Sequence, residues 1–442
     1  MMPDDAVTET PANNSLQRAV RVSLFVIVIA ASALGAAAFR PGLFVGDTVA
    51  SRLATVYALV HDGTWRIDRP ASLPPNPFEA RCVDKVMVNG RLVSSKPPLL
   101  PLLMTAEYVL LHKLAGLDLG RKEDLRPILN FMVLTLCQAT FVIGMAFFAA
   151  TVSLFVRSPL RAAIPVALLA FASPLPGYAQ QLNNHTPAAA ALMAALYFAL
   201  ALGTGKRAPA AWRFAAFGCC AALVFTMDLP VAIFAALAGI WLVWLFPRQA
   251  VLWGAAGAAL PLMAHFGGLL FATGDLRPVQ MRGATYLFES SYWRNPLGID
   301  ALNEPRLVYL FHITFGRFGL FLLFPALLAA VWGTGEILRR GPSRLRIPAA
   351  LAACAFLVLT AYYVKSTNNY GGASYGFRWY IGSVPVLLLL GVPLFDRLRS
   401  PAGWTALACA GAVSAYSAWE CLQTPWGTGN EWTCRLLFGP AV

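Results

Sequence analysis

Charge is what this sequence has least of. Only 12% of its 442 residues are Asp, Glu, Lys or Arg, about half the share of an ordinary soluble chain. With 58% hydrophobic residues and a mean hydropathy of +0.61, that scarcity excludes a soluble enzyme and a disordered chain. Cysteine is sparse as well, and its 8 residues fall into no metal-ligating spacing. Cys137, Cys219, Cys220, Cys354 and Cys409 lie inside apolar runs and read as small core residues. Cys82, Cys421 and Cys434 fall outside those runs, and Cys421–Cys434 is the simplest disulfide they offer. There is no Walker loop, dinucleotide fingerprint, zinc spacing or serine-triad context. Short alternating strands are missing too, which excludes a β-barrel.

In their place stand long apolar runs, each about as long as a helix of ~20 residues crossing a ~30 Å hydrocarbon core. They predict helices at about 20–39, 127–155, 162–178, 187–203, 213–227, 230–246, 250–272, 317–337, 347–364, 380–395 and 402–420. The expected fold is therefore all-α, a polytopic membrane protein with about 11 spans. The first run is longer than the core of a signal peptide and reads as an uncleaved anchor. Residues 1–17 read as a disordered cytoplasmic tail, 18–420 as a single membrane domain and 421–442 as a short external tail.

The net charge of +13 comes from 34 basic against 21 acidic residues. Arg18/Arg21, Arg157/Arg161, Lys206/Arg207/Arg213, Arg248, Arg339/Arg340/Arg344/Arg346 and Arg397/Arg399 sit at alternate ends of the apolar runs. Basic residues concentrate in cytoplasmic loops, so the expected N-terminus is cytoplasmic, and the membrane is taken to be a bacterial inner (cell) membrane. Bases used in this way argue against nucleic-acid binding. The polar segments 40–126, 173–186, 273–317 and 365–379 then share the extracytoplasmic face.

The first of these segments carries most of the chemistry. Residues 47–62 place Val49, Leu53, Val56, Tyr57 and Val60 at helical spacing, with Arg52 and His61 among the polar positions. This predicts an amphipathic helix at the interface. Val86 to Val93 around Asn89-Gly90 predicts a short hairpin, and Leu99 to Leu114 a second interfacial helix. Asp47, Asp84, Arg52, Lys85, Arg91 and Lys96 thus gather beside lipid, where a charge is costly unless paired or functional. Arg and Lys there suit an anionic group such as a lipid phosphate; anchoring to anionic headgroups or mutual pairing would also account for them.

An Asp just after the first helix, a helix beginning D-x-x-x-x-R (Asp47, Arg52) and a hairpin ending in Lys96-Pro97-Pro98 resemble the first external loop of the GT-C membrane glycosyltransferases. The branch it resembles is that of the aminoarabinose transferases and protein O-mannosyltransferases. Residues 368–385, NNYGGASYGFRWYIGSVP, resemble a loop of bacterial members of that branch. The resemblance implies a polyprenyl-phosphate sugar as donor and an unknown extracytoplasmic lipid, glycan or protein as acceptor. It implies Asp47 as catalytic base, with Arg52, Lys96 and Arg378 on the donor phosphate, in a one-step inverting displacement. Several relatives carry two adjacent acids where this chain has Asp47-Thr48, so Asp84, beside Lys85, becomes the candidate second carboxylate. Whether a divalent cation takes part stays open.

Other residues admit two readings. Arg378, flanked by Tyr370 and Tyr375 among glycines, reads as a pocket on phosphate or as an interfacial turn with a snorkelling Arg. Asn184 and His185 read as lipid or sugar contacts, or as a hydrogen-bond network where a helix begins. Asp228 at a helix break reads as functional or as one half of an ion pair, and Arg317 as an anion contact or a snorkelling side chain. A transporter or flippase of a lipid-linked or anionic substrate is the alternative function; it would be expected to show repeat symmetry and mid-membrane ionisable residues. No repeat is visible.

Overall fold

The computed structural model describes residues 11–38, 46–367, 369–427, 429 and 431–438, with the side chains of the first helix from 20 to 36. It is a helical bundle whose sheet content, among the described residues, is one hairpin. Among the described residues, five helical stretches are long and apolar enough to cross a membrane: Leu125–Ser153, His185–Gly203, Pro247–Thr273, Ser343–Ser366 and Arg378–Arg397. Shorter apolar helices run at Val20–Ala36, Pro159–Phe171, Ala211–Met227 and Ala232–Leu245. The chain is thus a membrane-embedded protein. The expected eleven spans resolve into this mixed set rather than eleven equal crossings.

The largest departure is the run 317–337. It breaks into Leu320–Leu323, a 3-10 turn at Pro325–Leu328 and the helix Ala329–Arg340. Pro325 has no N–H and pushes Phe324 out of the helical region (φ −126, ψ 66). The freed Ala326 N–H donates to Ser414 Oγ at 3.1 Å, inside the bundle. The N-terminal helix also starts earlier than expected, at Pro11, so 11–17 are helical rather than disordered; 1–10 lie outside the described residues. The helix expected over 187–203 begins at His185. Asn183 does the capping there: its Oδ1 accepts from Thr186 N–H at 2.8 Å.

Small residues let helices close on one another. A Cβ at Gly218 would lie 2.0 Å from Gly254 O, and one at Gly257 1.9 Å from Ala215 O. Ala211–Met227 and Pro247–Thr273 therefore pack backbone to backbone, a device of membrane helices. The main core gathers Phe141, Phe148, Leu169, Leu387 and Phe395. A second core lies under the first long loop, where Leu53 and Val56 meet Met104, Tyr108 and Met132.

That second core corrects the interfacial reading of 47–62. The helix Asp47–Tyr57 continues as a π turn, Ala58–Asp62, and it is enclosed by protein. Ser51, Arg52 and Thr55 are 0 to 1% exposed. Its polar face is covered as well, because the chain supplies hydrogen-bond partners on that side. The hairpin forms as predicted: Lys85–Val88 pairs antiparallel with Arg91–Ser94, with Lys85 opposite Ser94. Asn89 and Gly90 both take positive φ (51 and 72), as a tight hairpin turn demands.

The long loops meet at one end of the bundle. Gln280 Nε2 donates to Ser95 O at 2.5 Å, Trp293 Nε1 to Val83 O at 3.0 Å and Tyr178 OH to Tyr375 O at 3.0 Å. The short turns meet at the other end, where Arg344 reaches Thr204 O at 3.3 Å and Arg161 reaches Leu398 O at 3.4 Å.

Candidate active site

At the loop end, side chains from four distant stretches converge. Asp47 opens its helix after extended Gly46, at the terminus where a negative charge is favoured. Thr48, Ser51, Arg52 and Thr55 follow along the same face, one turn apart. The hairpin delivers the next pair. Because Lys85 faces Ser94, Asp84 comes level with Ser95, whose N–H donates to Asp84 O at 3.0 Å. Lys96 then reaches Asp84 Oδ2 at 2.7 Å. The same oxygen accepts from Thr48 Oγ1 at 3.1 Å, and Ser51 Oγ donates to Asp84 O at 2.7 Å.

Lys85 is held elsewhere, because its ammonium pairs with Glu79. Of the two lysines flagged in the sequence, Lys96 joins the cluster and Lys85 does not.

Arg52 is buried beneath this pair. Its Nη2 donates to Asn184 Oδ1 at 2.6 Å and its Nη1 to Thr48 O at 3.1 Å. Asn184 is fixed in turn by donating to Met227 O at 2.8 Å. Burial brings the Arg52 guanidinium down to about 10, against the opposing pull of Asp84. His185 does not reach Arg52; its Nδ1 lies 2.7 Å from Asp228 Oδ2. Asp228 therefore has its base, and His185 and Asn184 occupy separate networks.

Arg378 comes from the Gly/Tyr loop. Gly371, Gly372 and Gly376 all have positive φ (90, 73 and 64), and a Cβ at Gly371 would stand 3.0 Å from Arg378 Cγ. The guanidinium lies over the Trp426 ring at 5.2 Å, a cation–π contact. No carboxylate lies within 4 Å of it among the described residues, and its buried Nε has no partner. The two tyrosines shape this loop rather than line the cluster. Tyr375 OH donates to Glu420 Oε2 at 2.8 Å; Tyr370 OH bonds Glu304, and its ring stacks on Tyr309. Arg317 sits with His312, which accepts its N–H at 3.3 Å, and its carbonyl receives Thr433 Oγ1 at 2.6 Å.

The sequence reading missed Asp300. It lies in the second long loop, where Tyr292 OH donates to its Oδ2 at 3.1 Å and Asn369 Nδ2 to its Oδ1 at 3.3 Å. Its charge acts on Asp47, and it feels Asp84 and Arg378. No periodicity or motif marks it.

The acids of the cluster are tuned apart. Partial burial raises the Asp47 carboxyl, Asp84 and Asp300 raise it further, and Lys96 opposes them. Burial also pushes Asp84 up, but the Lys96 ammonium and its hydrogen bond outweigh that and hold it below the usual range. Burial lowers the Lys96 ammonium despite Asp84 beside it. Asp84 is thus a fixed anion locked to Lys96, whereas Asp47 is a solvent-facing carboxylate of raised basicity.

This set does not suit a divalent cation. A metal at Asp84 would displace an ammonium already 2.7 Å from its oxygen. Among the described residues no three His, Cys, Asp or Glu side chains group to hold one. The expected disulfide is also absent: Cys421 and Cys434 are free and buried. The Cys421 thiol points to Pro174 O and the Cys434 thiol to Arg317 O and Glu431, away from each other.

Comparison with solved structures identifies the architecture. The fold is similar to that of GT-C glycosyltransferases. The crystal structure of ArnT from Cupriavidus metallidurans in its apo state aligns with a TM-score of 0.53 at 15% identity, over 87% of this chain and 61% of that one. The same protein bound to undecaprenyl phosphate aligns with a TM-score of 0.54 at 14% identity, over 88% of this chain and 62% of that one. The oligosaccharyltransferase of Archaeoglobus fulgidus aligns with a TM-score of 0.50 at 12% identity, over 95% of this chain and 57% of that one. The chain therefore spans about three fifths of these proteins. No protein-family model matches the sequence, and no curated protein matches it.

Proposed function

We propose that the protein transfers a sugar from a polyprenyl-phosphate donor to an acceptor outside the cytoplasm, with the loop end of the bundle facing that side. The observation that carries this reading is the pairing of a solvent-facing basic carboxylate, Asp47, with a cationic wall of buried Arg52 and half-buried Lys96 and Arg378. The solved ArnT that shares the fold holds undecaprenyl phosphate. The concentration of Arg and Lys in the short turns of the opposite end supports the orientation.

In this mechanism Asp47 takes the proton of the acceptor hydroxyl as its oxygen attacks the anomeric carbon. The new C–O bond forms as the bond to the phosphate oxygen breaks, and the leaving polyprenyl phosphate keeps that electron pair. Arg378 and Arg52 stabilise the developing anion, since fixed cations at the leaving oxygens lower the barrier. Lys96 serves the same field while neutralising Asp84. Attack from the face opposite the phosphate inverts the anomeric centre. Asp300 tunes Asp47 rather than acting on substrate.

The test is donor binding by the purified full chain, using a radiolabelled polyprenyl-phosphate sugar. Arg378→Ala should weaken binding about tenfold, the value of one charge-assisted contact of ~1.4 kcal/mol. Unchanged affinity would remove Arg378 from the phosphate site. Movement of the labelled lipid between leaflets without any transfer would favour the flippase reading.

A further inference from the structure

The far end of the bundle holds an arrangement that the transfer reaction does not use. An apolar cavity of about 130 Å³ lies between the helices there, lined by Phe155, Leu200, Trp241, Leu345, Pro348 and Leu389, among others. Its walls come from apolar helices, so the medium around them is lipid. A cavity of this character stays dry and accepts apolar guests.

A basic rim stands over it. Leu345 lines the cavity, and Arg344 and Arg346 flank it in the chain, both exposed. Leu200 lines the opposite wall, and one turn on, Thr204 O accepts from Arg344 Nη1 at 3.3 Å. That contact folds the next turn against Arg344: Gly205 has a φ of +72, and a Cβ there would stand 2.6 Å from Arg344 Nη1. Lys206 and Arg207 follow directly and are exposed. Four cations therefore share one short stretch of surface. None has a carboxylate within 4 Å among the described residues, and Glu336 at this end is already held by Arg340 and Arg397. Like charges gathered beside lipid call for an anion from outside the chain, and basic pockets between membrane helices bind anionic headgroups.

We propose that this is a binding site for an anionic glycerophospholipid of the leaflet opposite the candidate active site. One acyl chain fills the cavity past Leu345 and Leu200, and the headgroup phosphate rests on Arg344, Lys206 and Arg207. The site is independent of donor binding, since it lies at the other end of the bundle from Arg378 and Asp47.

Native mass spectrometry of the full chain, delipidated in detergent and titrated with phosphatidylglycerol or phosphatidylcholine, tests it. Phosphatidylglycerol should be retained about tenfold more tightly than phosphatidylcholine. The triple change Arg344→Ala, Lys206→Ala and Arg207→Ala alters exposed positions only and should abolish that preference. Ala352→Phe, which fills the cavity, should weaken retention of both lipids, and Arg378→Ala should change neither. Equal retention of the two lipids by the unaltered chain would overturn the proposal. So would a preference that survives the triple change, or one that disappears with Arg378→Ala and so belongs to the donor site. Displacement of phosphatidylglycerol by millimolar inorganic phosphate alone would show a free-anion site and also overturn it.

Discussion

Asp47 feels the charge of Asp84, yet their pKa values are pushed in opposite directions. Carboxylates tuned apart in this way divide the roles of base and fixed charge between them. The rate should therefore titrate with Asp47. If Asp47 is the proposed base, transfer should fall as pH drops through a pKa above the usual carboxylate value of ~3.9, because the base becomes protonated. Asp300→Asn removes a charge that raises this pKa, so the acid limb should move to lower pH. Initial rates across a pH series would show it, and a limb that stays in place would remove Asp300 from the field on Asp47. Lys96 carries a different prediction. Lys96→Ala leaves Asp84 inside the protein without its cation, which should cost roughly 3 kcal/mol. The pair change Lys96→Met with Asp84→Leu should restore melting temperature but not transfer. Asp47, Arg52, Lys96 and Arg378 were legible as residue types in the sequence. Their partners were not: nothing in the sequence says that Arg52 would find Asn184 or that Asp300 would approach Asp47, because those contacts join residues 132 or more positions apart.

At the scale of elements, local pattern served well where the physics is local. The Asn89-Gly90 turn and its register were readable because both residues tolerate positive φ. The choice between Lys85 and Lys96 rests instead on their partners, Glu79 for the one and Asp84 for the other. Lys85→Ala should accordingly change donor affinity by less than about twofold, measured beside Arg378→Ala; a loss of the same size in both would contradict the hairpin placement. What hydropathy alone did not convey was the interruption of 317–337. An apolar run gives the same signal whether or not a proline within it breaks the ladder, and Pro325 does so where Ser414 of another helix stands ready to bond Ala326. The burial of 47–62 escaped for a similar reason: helical periodicity marks an apolar face but cannot tell whether water or protein covers the polar one.

Across the whole molecule, the C-terminal stretch ties the Gly/Tyr loop to the bundle. Glu431 is fully buried and accepts from Gly376 N–H at 2.9 Å, and Glu420 takes Tyr375 OH, Trp432 N–H and Arg435. Burial raises the Glu431 carboxyl to about 7. A group that binds its proton more tightly when folded stabilises the fold below its unfolded pKa of about 4.3. That stability is lost as pH rises through 7. Glu431→Gln should flatten the fall in melting temperature between pH 5 and 8, and an unchanged slope would contradict this account of the clamp. The same stretch holds the loop that carries Arg378, so the fold and the cationic wall are coupled through it.

The measurement that bears most directly on the central claim is sugar transfer by the full chain in liposomes, with radiolabelled polyprenyl-phosphate sugars as donors and a membrane extract as acceptor source. Asp47→Asn should lower transfer by at least ~100-fold, the contribution of a general base, while leaving donor binding and melting temperature within error. Transfer at full rate by Asp47→Asn, with donor still bound, would contradict the assignment of Asp47 as the base and the function built on it.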